Sequence, residues 1–585
     1  MKKIIFTILL LISFSFAQDK YWIYFSDKGL RTEQDTIIAL EKTEKVLTNR
    51  CIFRRAKVLP RDKIVDWKDI PLCKYYIQRV ESAGAKIVHI SRWLNAVSVR
   101  ANPDVLSKIA DFPFVEKIDI VRKFHRKFIP EDTTAYSEEA IYGMSKEQLS
   151  FMDIPPLHKM GVFGDGVLLC ITDTGFNRHH IAITHCDVEA SYDFVSDDTV
   201  VDFQDGDDPA IVSHGTRCWS EIGGRVDSLY WGAAPNTSFL LARTEDIDTE
   251  WTVEEDNWAA AAEWADSLGA DIISVSLGYY DWYSPDDMDG DTPVITAAAD
   301  RAAYLGIAVF TAAGNSGPSH QTLVAPGDGD SVITVGACDG KGNLASFSSR
   351  GPTADGRTKP DILAHGVGTV CADGMHDSLF SPSSGTSMAT PMAAGVGALL
   401  LSLRQSLTPM DLLHILRETA DNCISPNSDY GWGIINARAA AAYPFNDSSF
   451  VYFERGWNII ALPVDTIIPA NILPTNPAVY SFEGSTFVSV DTLTPGEGYF
   501  AFFTDDTFAI LFGRPITELD IELRRGWNLI GGLSRTIFTT ELEISPLTDK
   551  FFISKNDCYD LSKGLIPSRG GWFYATYDHS VHLVE

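Results

Sequence analysis

The segment Ser384-Gly385-Thr386-Ser387-Met388-Ala389-Thr390-Pro391 places a serine hydroxyl where a glycine turn runs into the start of a helix. Such a position exposes the side chain. It also aims backbone N–H groups, which the first helical turn leaves without partners, into a space that can hold an oxyanion. A free serine hydroxyl is a weak nucleophile at neutral pH and needs a base. Ser213-His214-Gly215-Thr216 offers one, an imidazole that titrates near neutrality, ahead of a helical stretch. Ile171-Thr172-Asp173-Thr174-Gly175 adds a carboxylate at the end of an apolar run. A carboxylate to fix the imidazole's tautomer, a base to take and return a proton, and a nucleophile are thus present in the order Asp173, His214, Ser387.

Three side chains so far apart in sequence can meet only on a scaffold that gathers loop ends. Between residues 166 and 443 the pattern is short apolar strands separated by helices: strands at 167–172, 239–242, 272–276, 307–311 and 332–335, with helices at 254–268 and 294–305. Thr252 and Glu255 have capping-box spacing ahead of the first helix, and Gly269 and Gly306 stop the two. This alternation predicts an α/β domain with a parallel sheet covered on both faces, whose reactive groups collect at the carboxyl ends of the strands. Asp173, Ser276 and residues 312–315 fall at such ends.

The order and flanks of the three residues resemble the subtilisin-like serine peptidases, the subtilases. Ser274-Val275-Ser276-Leu277-Gly278, Ala312-Ala313-Gly314-Asn315-Ser316-Gly317 and Lys359-Pro360-Asp361 extend the likeness over about residues 143–441. The resemblance implies a secreted serine endopeptidase that acts through an acyl-enzyme, with Asp173, His214 and Ser387 catalytic and Asn315 donating to the oxyanion. It also implies that Ser276, Leu277, Gly278, Ala312, Ala313 and Gly314 hold an extended protein or peptide substrate. Departures fall at Arg217 and Met392, where the family carries histidine, and at His365, where it carries proline; none transfers a proton. Rival chemistries fail on the residues. An aspartic peptidase needs a second facing carboxylate and no second Asp-Thr-Gly or Asp-Ser-Gly occurs. A Gly-x-Ser-x-Gly elbow is broken by Ala389, and its acid and histidine would follow the serine. The serine-carboxyl peptidases share the Gly-Thr-Ser block but replace the histidine with an acid, so His214 excludes them. A binding or scaffold protein on an inert peptidase fold is the alternative from another class.

Around this domain the 585 residues divide further. Met1-Lys2-Lys3 and the apolar run to Phe16 read as a signal peptide, residues 1–17, and predict a secreted or cell-surface product without a membrane span after its removal. Residues 18–130 alternate strands and helices and resemble a subtilase propeptide, which implies an intramolecular inhibitor. Residues 131–165 form a linker, with processing expected between Phe128 and Glu139. Residues 444–514 and 515–585 are two β modules, because Arg455-Gly456-Trp457-Asn458 recurs as Arg525-Gly526-Trp527-Asn528. The net charge of -30 excludes nucleic acid as a partner, and it is uneven. The leader has more Lys and Arg than Asp and Glu while the rest is strongly acidic, a polarity that favours docking of one on the other. No cofactor is required for the chemistry. Asp287, Asp289 and Asp291 are candidates for a structural calcium, although the run does not complete a calcium loop. Among nine cysteines at least one must lack a partner within the chain, and Cys170 and Cys218 read as buried apolar groups.

Overall fold

The computed structural model describes residues 20–121, 123–124, 141–204, 206–245, 250–251, 253–280, 283–484, 486–543, 550–555 and 558–584. The signal segment, the expected processing stretch 128–139 and Thr252 of the capping box lie outside them.

A seven-stranded sheet forms the centre, in the order Ile362–His365, Ile333–Cys338, Ala308–Ala312, Ile272–Val275, Leu168–Asp173, Ser238–Arg243, Val188–Asp193. Every neighbouring pair is parallel. Successive strand residues point to opposite faces, and here both faces are buried. Leu169, Ile171, Phe239 and Leu241 enter a core with the helices Ile211–Gly223 and Thr386–Leu403. Leu168, Cys170, Leu240 and Ala242 enter another with Val253–Leu268 and Val294–Tyr304. That is why these strands read as unbroken apolar runs. Gly269 and Gly306 end the latter two helices in the left-handed region, at φ of 95° each, which only glycine adopts without strain. Thr386–Leu403 is long and apolar enough to cross a bilayer, yet 89% of it is buried inside the fold.

Residues 20–121 form a four-stranded antiparallel sheet, order Lys86–Ser91, Ala96–Arg100, Lys20–Phe25, Val115–Val121. It docks on the helix Val253–Leu268 largely through opposite charges. Lys20 Nζ lies 2.6 Å from Asp256 and Arg92 Nε 3.0 Å from Glu263, while Arg54 and Arg55 both pair with Asp266. Glu263 also accepts from Ser91 Oγ and the Trp93 N–H. Lys20, Arg54, Arg55, Asp256 and Asp266 are all buried, so the charge polarity seen along the chain is resolved inside this interface. Beyond the sheet, Lys123–Phe124 pairs antiparallel with Glu250–Trp251.

The two C-terminal copies repeat one architecture. In the first, Ser448–Phe453 pairs with Thr507–Phe512, and a four-stranded sheet runs Gly456–Ile460, Tyr499–Phe503, Val479–Glu483, Thr486–Ser489. In the second, Glu518–Leu523 pairs with His579–Val584, and the sheet runs Gly526–Ile530, Gly571–Ala575, Phe551–Lys555, Cys558–Ser562. The repeated asparagine explains the repeated motif. Asn458 accepts from the Glu454 N–H and donates to its carbonyl, and Asn528 does the same with Arg524. Each copy has its own core. Glu454 joins three parts of the molecule, at 3.0 Å from Arg438 of the helix Ala437–Ala442 and 3.0 Å from Arg569 of the second copy.

Candidate active site

Asp173 is the last residue of the strand Leu168–Asp173 and is fully buried. Its two carboxylate oxygens lie 2.9 and 3.0 Å from His214 Nδ1, and Oδ1 also accepts from the Thr174 N–H at 2.8 Å. Against a carboxylate that can only accept, Nδ1 carries the hydrogen. Nε2 is then the basic nitrogen, and it is buried without a hydrogen-bond partner. His214 stands in the first turns of Ile211–Gly223, and Gly215 lets that helix approach so closely. A Cβ there would come within 2.3 Å of the Gly175 carbonyl and 3.0 Å of Asp173 Cβ.

Ser387 is the second residue of the helix Thr386–Leu403. Gly385, two residues earlier, keeps this corner open: a Cβ would stand 2.8 Å from Ser387 Oγ and 3.5 Å from Asn315 Nδ2. The same measurement places the serine hydroxyl and the asparagine amide around one small space. Asn315 cannot turn away, because its Oδ1 accepts from the Thr386 N–H at 2.9 Å and from Thr386 Oγ1 at 3.1 Å. Nδ2 is left as a donor. Thr386 itself receives the Gly314 N–H at 3.2 Å, so it positions the loop as well as the side chain.

Pro391 lies inside the helix Thr386–Leu403, beyond its first turn. A proline there has no N–H for the carbonyl four residues earlier, which is the carbonyl of Ser387. That oxygen is taken by Ser276 Oγ at 2.9 Å and by Cys218 Sγ at 3.6 Å. Ser276, expected to line the substrate, therefore also holds the backbone of Ser387.

Ser276, Leu277 and Gly278 follow the strand Ile272–Val275, and Ala313 and Gly314 follow Ala312 at the end of the neighbouring strand, so the two segments lie side by side, one bonded to the Ser387 carbonyl and the other to Thr386. Sequence reasoning missed the positioning contacts of Thr386 and Cys218. Cys218, one turn after His214 on the same helix face, could have been found by that spacing. Cys218 is buried with its Sγ 3.9 Å from His214 Nδ1, and burial drives its thiol pKa well up. It belongs to a small cluster with Cys371 and Met388. Cys51, Cys73, Cys170, Cys186, Cys218, Cys338 and Cys423 form no disulfide among the described residues.

The departures from the expected pattern are structural. Arg217 donates to Ser383 Oγ at 3.1 Å and Met392 is core. His365 bonds Thr369 Oγ1, with its pKa pushed down to about 4 by burial. The calcium candidates do not converge. Asp287 bonds the N–H and hydroxyl of Ser284, and Asp289 bonds the N–H groups of Asp291 and Thr292. Among the described residues the only group of three or more His, Cys, Asp and Glu side chains close enough to share an ion is Asp173, His214 and Cys218. The first two are already committed to each other.

A parallel sheet with an acid at one strand end, a histidine on the next helix and a serine at the head of a buried helix defines a subtilisin-like hydrolase. The subtilase family model matches residues 164–433, and a model of the peptidase S8 propeptide domain of Bacteroidota matches residues 20–136. The chain belongs to the subtilase family and is a serine endopeptidase. It is 32% identical to "Serine protease AprX" of Bacillus subtilis (strain 168) over 47% of this chain and 66% of that protein. It is 31% identical to "Subtilisin" of Bacillus pumilus over 51% of this chain and 98% of that protein. For "Subtilisin DY" of Bacillus licheniformis the figures are 33%, 48% and 93%.

Proposed function

We propose that Asp173, His214 and Ser387 are the catalytic triad of a secreted endopeptidase, with Asn315 Nδ2 and the Ser387 N–H as its oxyanion donors. The supporting observation is the Asp173–His214 pair, which fixes the tautomer and leaves Nε2 buried and basic. Ser387 Oγ attacks the scissile carbonyl carbon while its proton passes to Nε2. The carbonyl π electrons move to oxygen, which the two donors hold, and Asp173 stabilises the imidazolium. Collapse breaks the C–N bond, Nε2 returns the proton to the leaving amine, and an ester to Ser387 remains. Water, deprotonated by Nε2, hydrolyses the ester and regenerates the hydroxyl. No step calls on a metal; a structural calcium remains outside the chemistry.

Protein or peptide substrates bind extended along Ser276–Gly278 and Ala312–Gly314, pairing through backbone groups. In this reading residues 1–17 direct export and 18–130 serve as an intramolecular inhibitor removed by processing in 131–165. Residues 166–443 do the chemistry, and 444–514 and 515–585 brace it. Pairing of Lys123–Phe124 with Glu250–Trp251 and the buried ion pairs to Val253–Leu268 support the inhibitor role.

A fluorophosphonate probe tests the assignment. It labels the matured enzyme and fails on Ser387→Ala, whereas labelling that survives this substitution, or an unlabelled wild type, would leave an inert scaffold. Mass spectrometry of the exported protein locates the two processing sites.

A further inference from the structure

Between the segments Ser276–Gly278 and Ala312–Gly314, which follow neighbouring strands beside Ser387, stands the side chain of Val324. Val324 touches both walls at their glycines. A Cβ on Gly278 would come within 2.2 Å of Val324 Cγ2, and one on Gly314 within 2.8 Å of Val324 Cγ1 and 3.1 Å of Cγ2. These glycines are the positions where the walls make room for something between them, and the valine fills that room. Only 7% of Val324 is exposed.

The valine is also held in place. Its own N–H donates to the Ala313 carbonyl at 3.1 Å. The next residue, Ala325, exchanges two 2.9 Å backbone hydrogen bonds with Tyr279, which follows Gly278. The segment is therefore tied to both walls by the main chain, and a β-branched side chain has little rotamer freedom with which to move aside. Interiors packed in this way resist added volume.

In the catalytic reading, an extended substrate held by these two segments and acylated on Ser387 carries the side chain of its acylated residue to the space that Val324 occupies. We propose that Val324 is a specificity-determining residue that closes the pocket for the residue before the scissile bond. The enzyme then cleaves after small side chains such as alanine, glycine and serine and excludes phenylalanine and tyrosine. This rests on the catalytic reading above, since it needs Ser387 as the acylated residue. A single methylene in a specificity pocket changes selectivity by about 10–200-fold, so a pocket that lacks room for a ring should favour alanine by at least that order.

The test uses the matured enzyme, Val324→Ala and Val324→Gly, with two tetrapeptide p-nitroanilides that differ only in the last residue, alanine or phenylalanine. Fluorophosphonate labelling is measured on the same preparations. Expected are a wild-type kcat/KM ratio of alanine to phenylalanine above about tenfold and a progressive fall of that ratio through Ala to Gly. A wild type that prefers phenylalanine overturns the proposal, as does a ratio unmoved in variants that still label. If neither variant folds, the wild-type ratio decides alone. Absence of labelling in the wild type would instead refute the catalytic reading, so the two failures are distinguishable.

Discussion

Replacing Ser276 by alanine should loosen the nucleophile, and the loss should depend on whether residue 391 is proline. The carbonyl of Ser387 lacks its helical partner because Pro391 has no N–H. Ser276 Oγ supplies the substitute at 2.9 Å, with Cys218 Sγ a weaker second at 3.6 Å. A neutral hydrogen bond contributes about 0.5–1.5 kcal/mol net, and a buried acceptor left unsatisfied costs about 1–3 kcal/mol. With the thiol retained, Ser276→Ala should cost about 1–2 kcal/mol of stability and, through displacement of Ser387, roughly 5–10-fold in kcat with a smaller change in KM. In a Pro391→Ala background residue 391 regains its N–H and the carbonyl its usual donor. The Ser276→Ala penalty there should shrink below about 0.5 kcal/mol, a coupling of about 1 kcal/mol between two residues that contribute to the same oxygen. Urea unfolding of the four proteins of the cycle, with burst kinetics to isolate acylation, gives both numbers. Equal penalties in the two backgrounds would refute the reasoning, since Ser276 would then not be standing in for the missing amide.

Glu221 is fully buried with neither carboxyl oxygen hydrogen-bonded, and burial raises its pKa well above the ordinary range despite Arg217 nearby. The folded protein then holds a proton that the unfolded chain releases above about pH 4.3. Stability should fall as pH rises from there toward the raised value. Glu221→Gln should remove that slope, so its Tm should gain on wild type between about pH 5 and pH 8; parallel profiles would count against it. Met388 follows the nucleophile and packs with Cys218 and Cys371. Peroxide should therefore inactivate the enzyme by sulfoxide formation beside the oxyanion space, and Met388→Ala should resist. Activity that survives full oxidation of Met388, read by mass spectrometry, would refute this. Asp266→Asn should leave Arg54 buried without its carboxylate, while Arg55 keeps Asp69, at a cost of about 3–5 kcal/mol in the leader interface. The yield of matured enzyme from the full chain should drop sharply, and an unchanged yield would mean the leader docks without these pairs.

The residues that pointed to the chemistry were legible because each sits in a short stretch whose neighbours are set by local geometry. At Gly215 no side chain fits and Gly385 keeps the corner beside Ser387 open, and both constraints are written into the motifs themselves. The strands were legible for a similar reason. Leu168 to Ile171 are apolar without alternation because both faces are buried, one residue entering each core in turn. The edge strand Val188–Asp193 was not, because its residues are half-buried and mixed in character. The place of Pro391 within its helix was not legible, because it depends on where the helix begins, which letters alone leave uncertain by one or two residues.

By itself, then, the chain's order of residues pointed to the parallel α/β framework, the charged leader and the duplicated β modules, through periodicity, composition and repetition that need no knowledge of distant partners. The proposed acid, base and nucleophile were legible from their motifs together with the family resemblance those motifs carry. Only the tertiary structure decided that Ser276 holds the Ser387 carbonyl, that Thr386 locks Asn315, and that Val324 fills the gap between two glycines. Each of those is a contact between residues brought together by sheet order. Hydrogen bonds and van der Waals contacts act over a few ångströms of space, whatever the separation along the chain.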